Sequence, residues 1–351
     1  MSALEVRLSP AEERGVAERP IDDPVAYDCY LRARQVMYNW TPEDQFRAMR
    51  LVDDAIQVVG ESPLLLATKA SIHWGQVNMH VVPPDDGLSR ASELVDRALA
   101  VDPDFYLAIY VRGLVAGLRG RPEEALADIY RAHAMRPGDP NILGELIRFS
   151  MCAGLRHTMR YFEKVVRIDP LNPFRHLEKA YLSAIYGPRE EGAASARRLM
   201  ELAPQVSMLH VYGSWPLAEA GFYEEAAERL GRAAMALEDN LHSALALFLK
   251  YCLEGSEAEA LRIATPDMQA SVHNDVACRM MADGFALLGR TDDAVRNLRN
   301  AIEHGFINYP YLNQGDPFLK AIRAEPAFQE LMEELRPRWE ALMEWERTLP
   351  Q

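Results

Sequence analysis

Four pairs of adjacent carboxylates are the residues whose type and spacing come nearest to catalytic chemistry. They are Glu123-Glu124, Glu190-Glu191, Glu224-Glu225 and Asp292-Asp293. Two neighbouring carboxyls can divide the roles of general acid and general base when their environments separate their pKa values. Each pair, however, stands near the expected start of a helix, where carboxylates stabilise the positive end of the helix dipole. We therefore expect a structural role for all four pairs.

Other reactive residue types do not combine into a site. The four cysteines are Cys29, Cys152, Cys252 and Cys278. None belongs to a C-x-x-C pair, which favours buried thiols in a reducing compartment. His73 and His80 could share a helix face, but no third ligand accompanies them. The sequence contains neither a glycine-rich phosphate loop nor G-x-S-x-G. We expect no catalytic residue, no cofactor and no metal, and therefore no enzyme.

Charge and hydropathy narrow the class of protein further. The net charge is −14, which disfavours nucleic acid and anionic membranes as partners, because both require a basic surface. The amino-terminal sequence lacks the apolar run of a signal peptide. No stretch of about 18 apolar residues occurs that could cross a bilayer. We expect a cytoplasmic protein without membrane insertion, or the soluble part of a longer chain.

Glycines and prolines recur along the chain at a nearly fixed interval, and this interval indicates how the helices that carry these residues are arranged. The glycines in phase are Gly120, Gly154, Gly187, Gly221, Gly255 and Gly289, with gaps of 33 or 34 residues. The prolines in phase are Pro103, Pro137, Pro170 and Pro204, with the same gaps. A period of this size indicates one supersecondary unit repeated in a stack, which is an α-solenoid when the unit is helical.

Residues 104–137 contain one complete repeat. Ile109, Gly113 and Ala116 share one face of a first helix. Gly120 then ends that helix, because the residue after a helix often adopts a positive φ. Pro122 fits the first turn of a second helix, where its missing N–H costs little. The second helix places Ala125, Ile129 and Ala132 on one face and ends at Pro137.

This repeat resembles the tetratricopeptide repeat (TPR). Gly113, Ala125, Ala132 and Pro137 match the small crossing positions and the terminal proline of that family. The pair Ala125/Ala132 recurs as Ala226/Ala233 and Ala294/Ala301. The resemblance implies an all-α, TPR-type α–α superhelical solenoid with about eight helix pairs and a C-terminal capping helix.

The repeats divide the chain into three predicted segments. They are a linker or leader at 1–23, a solenoid at 24–304 and a capping segment at 305–351. The solenoid repeats are predicted at about 24–60, 63–103, 104–137, 138–170, 171–204, 205–238, 239–270 and 272–304. In the seventh repeat, Thr265-Pro266 shortens the second helix. The last helix, about 326–347, is predicted to cap the stack.

The two ends carry a narrower resemblance. The segment from Pro24 to Arg34, and the run from Asp316-Pro317-Phe318 to Gln329, resemble the ends of the TPR module in bacterial multidomain regulators. In that group the module follows a nucleotide cyclase, a protein kinase or a winged-helix domain. This sequence contains no such effector domain, so the resemblance implies no catalytic function.

The resemblance also implies which residues would bind a partner. In the TPR family the first helices line a concave groove. The matching positions include Tyr110, Leu114, Arg148, Tyr181, Met208, Tyr212, Trp215 and Arg279. Aromatic residues and Met are common interface anchors. The alternative interpretation places several of these residues in the core between repeats. Pro216 inside a first helix also predicts a bend.

These expectations combine into one predicted function with two alternatives. The chain is predicted to be a protein-interaction scaffold that binds a protein or peptide in the groove. Tyr110, Tyr181, Tyr212 and Trp215 would anchor the ligand, while Arg148 and Arg279 would pair with its carboxylates. The first alternative is a regulatory or sensor module whose effector domain is separate. The second is a self-associating oligomer whose groove is filled by a neighbouring chain or by its own tail.

Overall fold

Helices supply the regular structure of this chain. A computed structural model describes residues 21–155, 157–237 and 240–348, and no β-strand is present among them. These residues belong to two compact units, which meet in sequence between Val111 and Arg112. The predicted 1–23 linker lies almost entirely outside the described residues, and the predicted domain boundaries stay predictions.

The first compact unit contains two complete helix pairs and the beginning of a third. Its helices are α1 (Pro24–Met37), α2 (Pro42–Val59), α3 (Pro63–Asn78) and α4 (Pro84–Val101), followed by α5 (Tyr106–Leu118), which contains the boundary between the units. A hydrophobic core forms between α1, α2 and α3, and includes Tyr30, Ala48 and Leu65.

The second compact unit continues the same alternation of first and second helices. Its helices are α6 (Pro122–Met135), α7 (Pro140–Ala153), α8 (Thr158–Ile168), α9 (Pro173–Tyr186), α10 (Arg189–Leu202), α11 (Ser207–Glu219), α12 (Tyr223–Ala236), α13 (Leu241–Leu253), α14 (Glu257–Ile263), α15 (Pro266–Ser271), α16 (Asp275–Leu287), α17 (Thr291–Glu303) and α18 (Pro326–Arg347). A π-helical turn, Tyr311–Gly315, and a 3₁₀ turn, Phe318–Ala321, lie between α17 and α18. The predicted fold of about eight helix pairs and a terminal helix is confirmed.

The helix starts follow the local sequence signals. The four predicted carboxylate pairs lie in the first turns of α6, α10, α12 and α17, as their dipole role requires. The break in the seventh repeat is confirmed as well, because its second half consists of the short helices α14 and α15. There the Thr265 hydroxyl caps α15 by accepting a hydrogen bond from the Met268 N–H at 3.2 Å.

The periodic glycines do not all serve the same purpose. Gly154 adopts the left-handed conformation after α7, with φ 72° and ψ 30°. Gly120 has a φ of 69°, and a Cβ there would lie 2.5 Å from the backbone oxygen of Glu303. Gly187 differs, because its backbone is extended, with φ −135° and ψ −163°. Gly187 therefore keeps the period without the positive φ that Gly120 and Gly154 adopt.

Small residues permit the close helix contacts within a repeat. Ala125 in α6 is fully buried. Between repeats, a Cβ at Gly117 would lie 2.5 Å from the ring of Phe149 in α7. Within the repeat, a Cβ at Gly113 would lie 3.1 Å from the Ala125 backbone oxygen. Bulk at this crossing would therefore push α5 and α6 apart.

Ala125→Leu tests this contact. Overpacking should lower the free energy of unfolding by about 1–3 kcal/mol. The matched control is Ala127→Leu in the same helix, because Ala127 is exposed and the added bulk meets solvent. Thermal melts followed by circular dichroism measure both variants. Equal melting temperatures would contradict the predicted crossing.

The C-terminal helix covers more than the last repeat. Its apolar face, with Phe328, Leu331, Leu335 and Leu342, is buried. Arg299 of α17 pairs with Glu334 at 2.5 Å. The same helix also reaches the third repeat, since Arg338 pairs with Glu123 at 2.7 Å and the rings of Tyr130 and Trp345 lie 5.5 Å apart. The predicted cap therefore joins distant repeats of the second compact unit.

Candidate functional site

The candidate site is the face lined by first helices in the second compact unit. The predicted groove residues Leu114, Tyr181, Trp215 and Arg279 are buried there, and Tyr110 is buried in the first unit. Arg148, Met208 and Tyr212 are partly buried. The alternative interpretation expected such burial. Whether any of these residues contacts a partner stays a prediction.

Five of the eight predicted residues come together on this face. Arg148 pairs with Asp275 of α16 at 2.5 Å. Tyr212 accepts a hydrogen bond from the side chain of Asn274 at 3.0 Å. Tyr181, Trp215 and Arg279 belong to the same network through contacts described below. Met208 lies apart from it and packs on a smaller apolar cluster that includes Leu199 and Leu209.

Tyr181 compensates for the proline inside α11. Pro216 has no N–H, so the Tyr212 carbonyl loses the partner it would have in a regular helix. The Tyr181 hydroxyl donates to that carbonyl at 2.9 Å and lies 3.7 Å from the Met280 sulfur. Tyr181 is 4% exposed, so an unpaired carbonyl beside it would be shielded from water. The proline and the tyrosine therefore form one structural pair.

A double-mutant cycle tests this pairing. Tyr181→Phe leaves the Tyr212 carbonyl unpaired and should lower the free energy of unfolding by about 1–3 kcal/mol. Pro216→Ala restores an N–H for that carbonyl, so Tyr181→Phe should cost less in this background. Urea unfolding of the four proteins gives the coupling. Tyr223→Phe, on a partly exposed ring, is the control and should change little. An equal cost of Tyr181→Phe in both backgrounds would contradict the pairing.

Trp215 joins α11 to α16 and to the segment beyond α17. Its side chain is fully buried, and its indole N–H donates to Asp283 at 2.8 Å. Its ring lies 4.8 Å from the Phe318 ring, measured between centroids. Phe318 belongs to residues 305–325, which we call the return segment because it leaves α17 and crosses the first-helix face before α18 begins.

Arg279 is the centre of the network. Its guanidinium is fully buried and lies 2.8 Å from Glu219, 3.1 Å from Asp283 and 2.8 Å from Asp316. It also donates to the Tyr311 hydroxyl at 3.1 Å. These carboxyls come from α11, from α16 and from the return segment. Arg279 was predicted to meet the carboxylates of a ligand; in this structure it meets three carboxyls of its own chain, and the ligand contact stays a prediction.

The return segment is held by further polar contacts. Arg189 at the start of α10 donates to the Gly315 carbonyl at 2.6 Å. Asn308 donates its side-chain amide to the Met151 carbonyl at 2.9 Å, near the end of α7. Glu219 and Tyr311 were not among the predicted site residues. The pair Arg279 and Asp283, four residues apart in a largely apolar helix, was the one signal that a buried charge cluster exists.

The cluster contains more acidic groups than basic groups. Burial raises the pKa of Asp283 well above that of an ordinary carboxyl, and the neighbouring Asp316 adds to the effect. Burial likewise raises the pKa of Glu219, although Arg279 opposes it. One arginine cannot neutralise three buried carboxyls, so protonation of Asp283 and Glu219 stabilises this buried cluster.

The raised pKa values of these carboxyls predict how the free energy of unfolding changes with pH. A carboxyl whose pKa is raised on folding stabilises the fold fully below its unfolded pKa, near 4, and loses that contribution as the pH rises through its folded value. Wild-type stability should therefore fall more steeply between about pH 5 and pH 8 than that of Asp283→Asn, which mimics the protonated group. Urea unfolding across this range checks the slopes.

The matched control for this experiment is Asp292→Asn, at an exposed position of α17. It should keep the wild-type slope. Equal slopes for wild type and Asp283→Asn would contradict the assignment of a proton to Asp283.

Among the described residues, no group of three or more His, Cys, Asp or Glu side chains is arranged to hold a metal ion. Within the same ranges, no helix has the length and apolar character needed to cross a membrane.

Comparison with known proteins identifies the class of fold. No protein-family model and no curated protein matches the chain. The Rap protein complexed with Competence and Sporulation Factor is similar, with a TM-score of 0.61 and 13% identity, over 92% of this chain and 99% of that one. Cut9 in the APC/C hetero-tetramer Cut9–Hcn1 is also similar, with a TM-score of 0.53 and 13% identity, over 93% and 71% of the two chains. Both neighbours are TPR-repeat proteins. This chain therefore has the TPR-type α–α solenoid fold.

Proposed function

We propose that this chain is a non-catalytic scaffold that binds a peptide or a partner protein on the face lined by its first helices. One observation supports the proposal most directly: in the second compact unit, this face already holds a segment of the chain itself. Arg279 contacts the Asp316 side chain, Trp215 contacts the Phe318 ring and Arg189 binds the Gly315 carbonyl. A carboxylate, an aromatic ring and a backbone carbonyl are also the groups by which such a face would recognise a foreign peptide.

The structural neighbours give this proposal further support. Rap was solved with Competence and Sporulation Factor, and Cut9 with Hcn1. Both were therefore solved as complexes, which fits a binding role for the shared fold. The fold alone does not determine a function, so the proposal depends mainly on the chemistry of the inner face.

The predicted groove residues have different roles in this proposal. Arg148, Met208 and Tyr212 are partly buried and would meet a partner first. Tyr181, Trp215 and Arg279 are buried, so a partner would reach them only after the return segment moves away. Because the return segment occupies its own binding face, a regulatory module in which a partner competes with that segment is the second candidate function.

Capture of a partner by the full chain, followed by measurements on the purified pair, tests the proposed function. Proteins retained from a lysate of the source organism are identified by mass spectrometry, and the affinity of each purified candidate is measured by calorimetry. Hydrogen exchange should slow in the first helices when the partner binds. Met208→Ala should weaken binding about tenfold, as expected for a moderate interface anchor.

The matched control for this experiment is Met235→Ala in α12, because Met235 is 78% exposed. It should leave the affinity unchanged. Binding that protects only the second helices, or the failure of every purified candidate to bind, would contradict the proposed function.

A further inference from the structure

The first compact unit contains a partly buried arginine whose polar partner is a tyrosine and not a carboxylate. In the second unit, Arg148, Arg175 and Arg279 all pair with carboxylates of the chain. Arg34 lies in α1 and is partly buried, yet it forms no ion pair with any residue that the structure describes. Its guanidinium instead donates to the Tyr30 hydroxyl at 3.3 Å, and its Cζ atom lies 5.9 Å from the centre of that ring.

Tyrosines surround this guanidinium on more than one helix. Tyr30 belongs to α1, Tyr38 directly follows the last residue of α1, and Tyr106 belongs to α5. Tyr38 and Tyr106 lie close enough to Arg34 to interact with it electrostatically. Both α1 and α5 are first helices of their repeats. The cluster therefore joins two first helices of the first compact unit.

Acidic residues exist nearby in the sequence but are engaged elsewhere. Asp28 pairs with Arg32 at 3.4 Å, on the exposed side of α1. Asp44 accepts a hydrogen bond from the Asn39 side chain at 2.9 Å. Among the residues that the structure describes, Arg34 thus has no carboxylate partner, in a protein whose net charge is −14.

The chemistry of this cluster matches one kind of ligand. A guanidinium binds a carboxylate through two parallel hydrogen bonds. A tyrosine hydroxyl that accepts a hydrogen bond from arginine keeps its own proton for a second acceptor. The Tyr30 hydroxyl finds no such acceptor among the described residues. Repulsion between an acidic ligand and the distant acidic residues of this chain is screened beyond about 8 Å at physiological salt.

We infer that Arg34, with Tyr30, Tyr38 and Tyr106, forms a subsite that binds a carboxylate side chain of a partner peptide. The inference rests on the proposed function and names the chemistry of the partner. The second unit contains an internal example, because Asp316 meets Arg279 while Phe318, two residues later, meets Trp215. The expected ligand is therefore an acidic residue close to an aromatic one.

Parallel selections from a displayed library of short random peptides test this inference. The baits are the full-length wild type, Arg34→Gln and Arg32→Gln. Arg32 is the matched control, because it lies in the same helix, is exposed and forms a surface pair with Asp28. Peptides selected on the wild type should be enriched in Asp or Glu near an aromatic residue. Arg34→Gln should lose that enrichment, and Arg32→Gln should keep it.

Calorimetry on a selected peptide then measures the contact. Arg34→Gln should weaken binding about tenfold or more, and so should replacing the peptide's Asp or Glu by the amide. The two changes together should cost little more than either alone, because they remove the same contact. Tyr30→Phe keeps the packing of the ring, removes one donor and should weaken binding a few fold. Circular dichroism confirms that each variant is folded.

The outcomes separate this inference from the proposed function. Selected peptides that bind Arg34→Gln as tightly as wild type would overturn the Arg34 subsite and leave the proposed function standing. Peptides without an acidic residue would do the same. If no peptide is enriched on any bait, peptide recognition by this chain fails, and the subsite fails with it.

Discussion

The guanidinium of Arg279 has no access to water, so the chain itself must satisfy its charge. Removing an ion from water costs several kcal/mol, and that cost is recovered only when the partners are well placed. Glu219, Asp283 and Asp316 meet this demand from α11, from α16 and from the return segment. Moving any of these elements away would break a buried contact of the guanidinium. First helices that would otherwise border an open groove are thereby held together with the segment that covers them.

The polar groups around this charge are connected rather than isolated. Trp215 uses its indole N–H on Asp283, while Tyr181 satisfies the carbonyl that Pro216 leaves unpaired. Buried networks of this kind favour one arrangement strongly, because any alternative packing leaves a buried donor or acceptor unpaired. The same property makes the arrangement sensitive to competition. A ligand that supplied both a carboxylate and an aromatic ring could replace the contacts of the return segment without leaving Arg279 unpaired.

The repeat architecture could be predicted from the sequence because its signals are local and periodic. The small residue Ala125 and the turn glycine Gly154 each act within a few residues of their position, and each behaves as the spacing indicates. The repeat period also predicted that Trp215 and Arg279 lie on the same face of the first helices, and the two residues do contact the same carboxyl, Asp283. The partners of Arg279 were not, because Glu219 lies 60 residues before it and Asp316 lies 37 residues after it. No repeat period encodes those separations. Gly187 shows that a periodic glycine does not always mark a glycine-requiring conformation, because its backbone is extended.

Arg34 and Arg279 show how one residue type can serve structure and recognition in the same fold. Arg279 is surrounded by more carboxyls than it can neutralise, and its hydrogen bonds are used within the chain. Arg34 has tyrosines in place of carboxyls and remains partly exposed. A charge that is already neutralised gains little from a new partner, whereas a partly desolvated charge gains a full charge-assisted hydrogen bond. Specificity for an acidic ligand is therefore expected from the first compact unit, even though the larger number of inward-facing aromatic residues lies in the second.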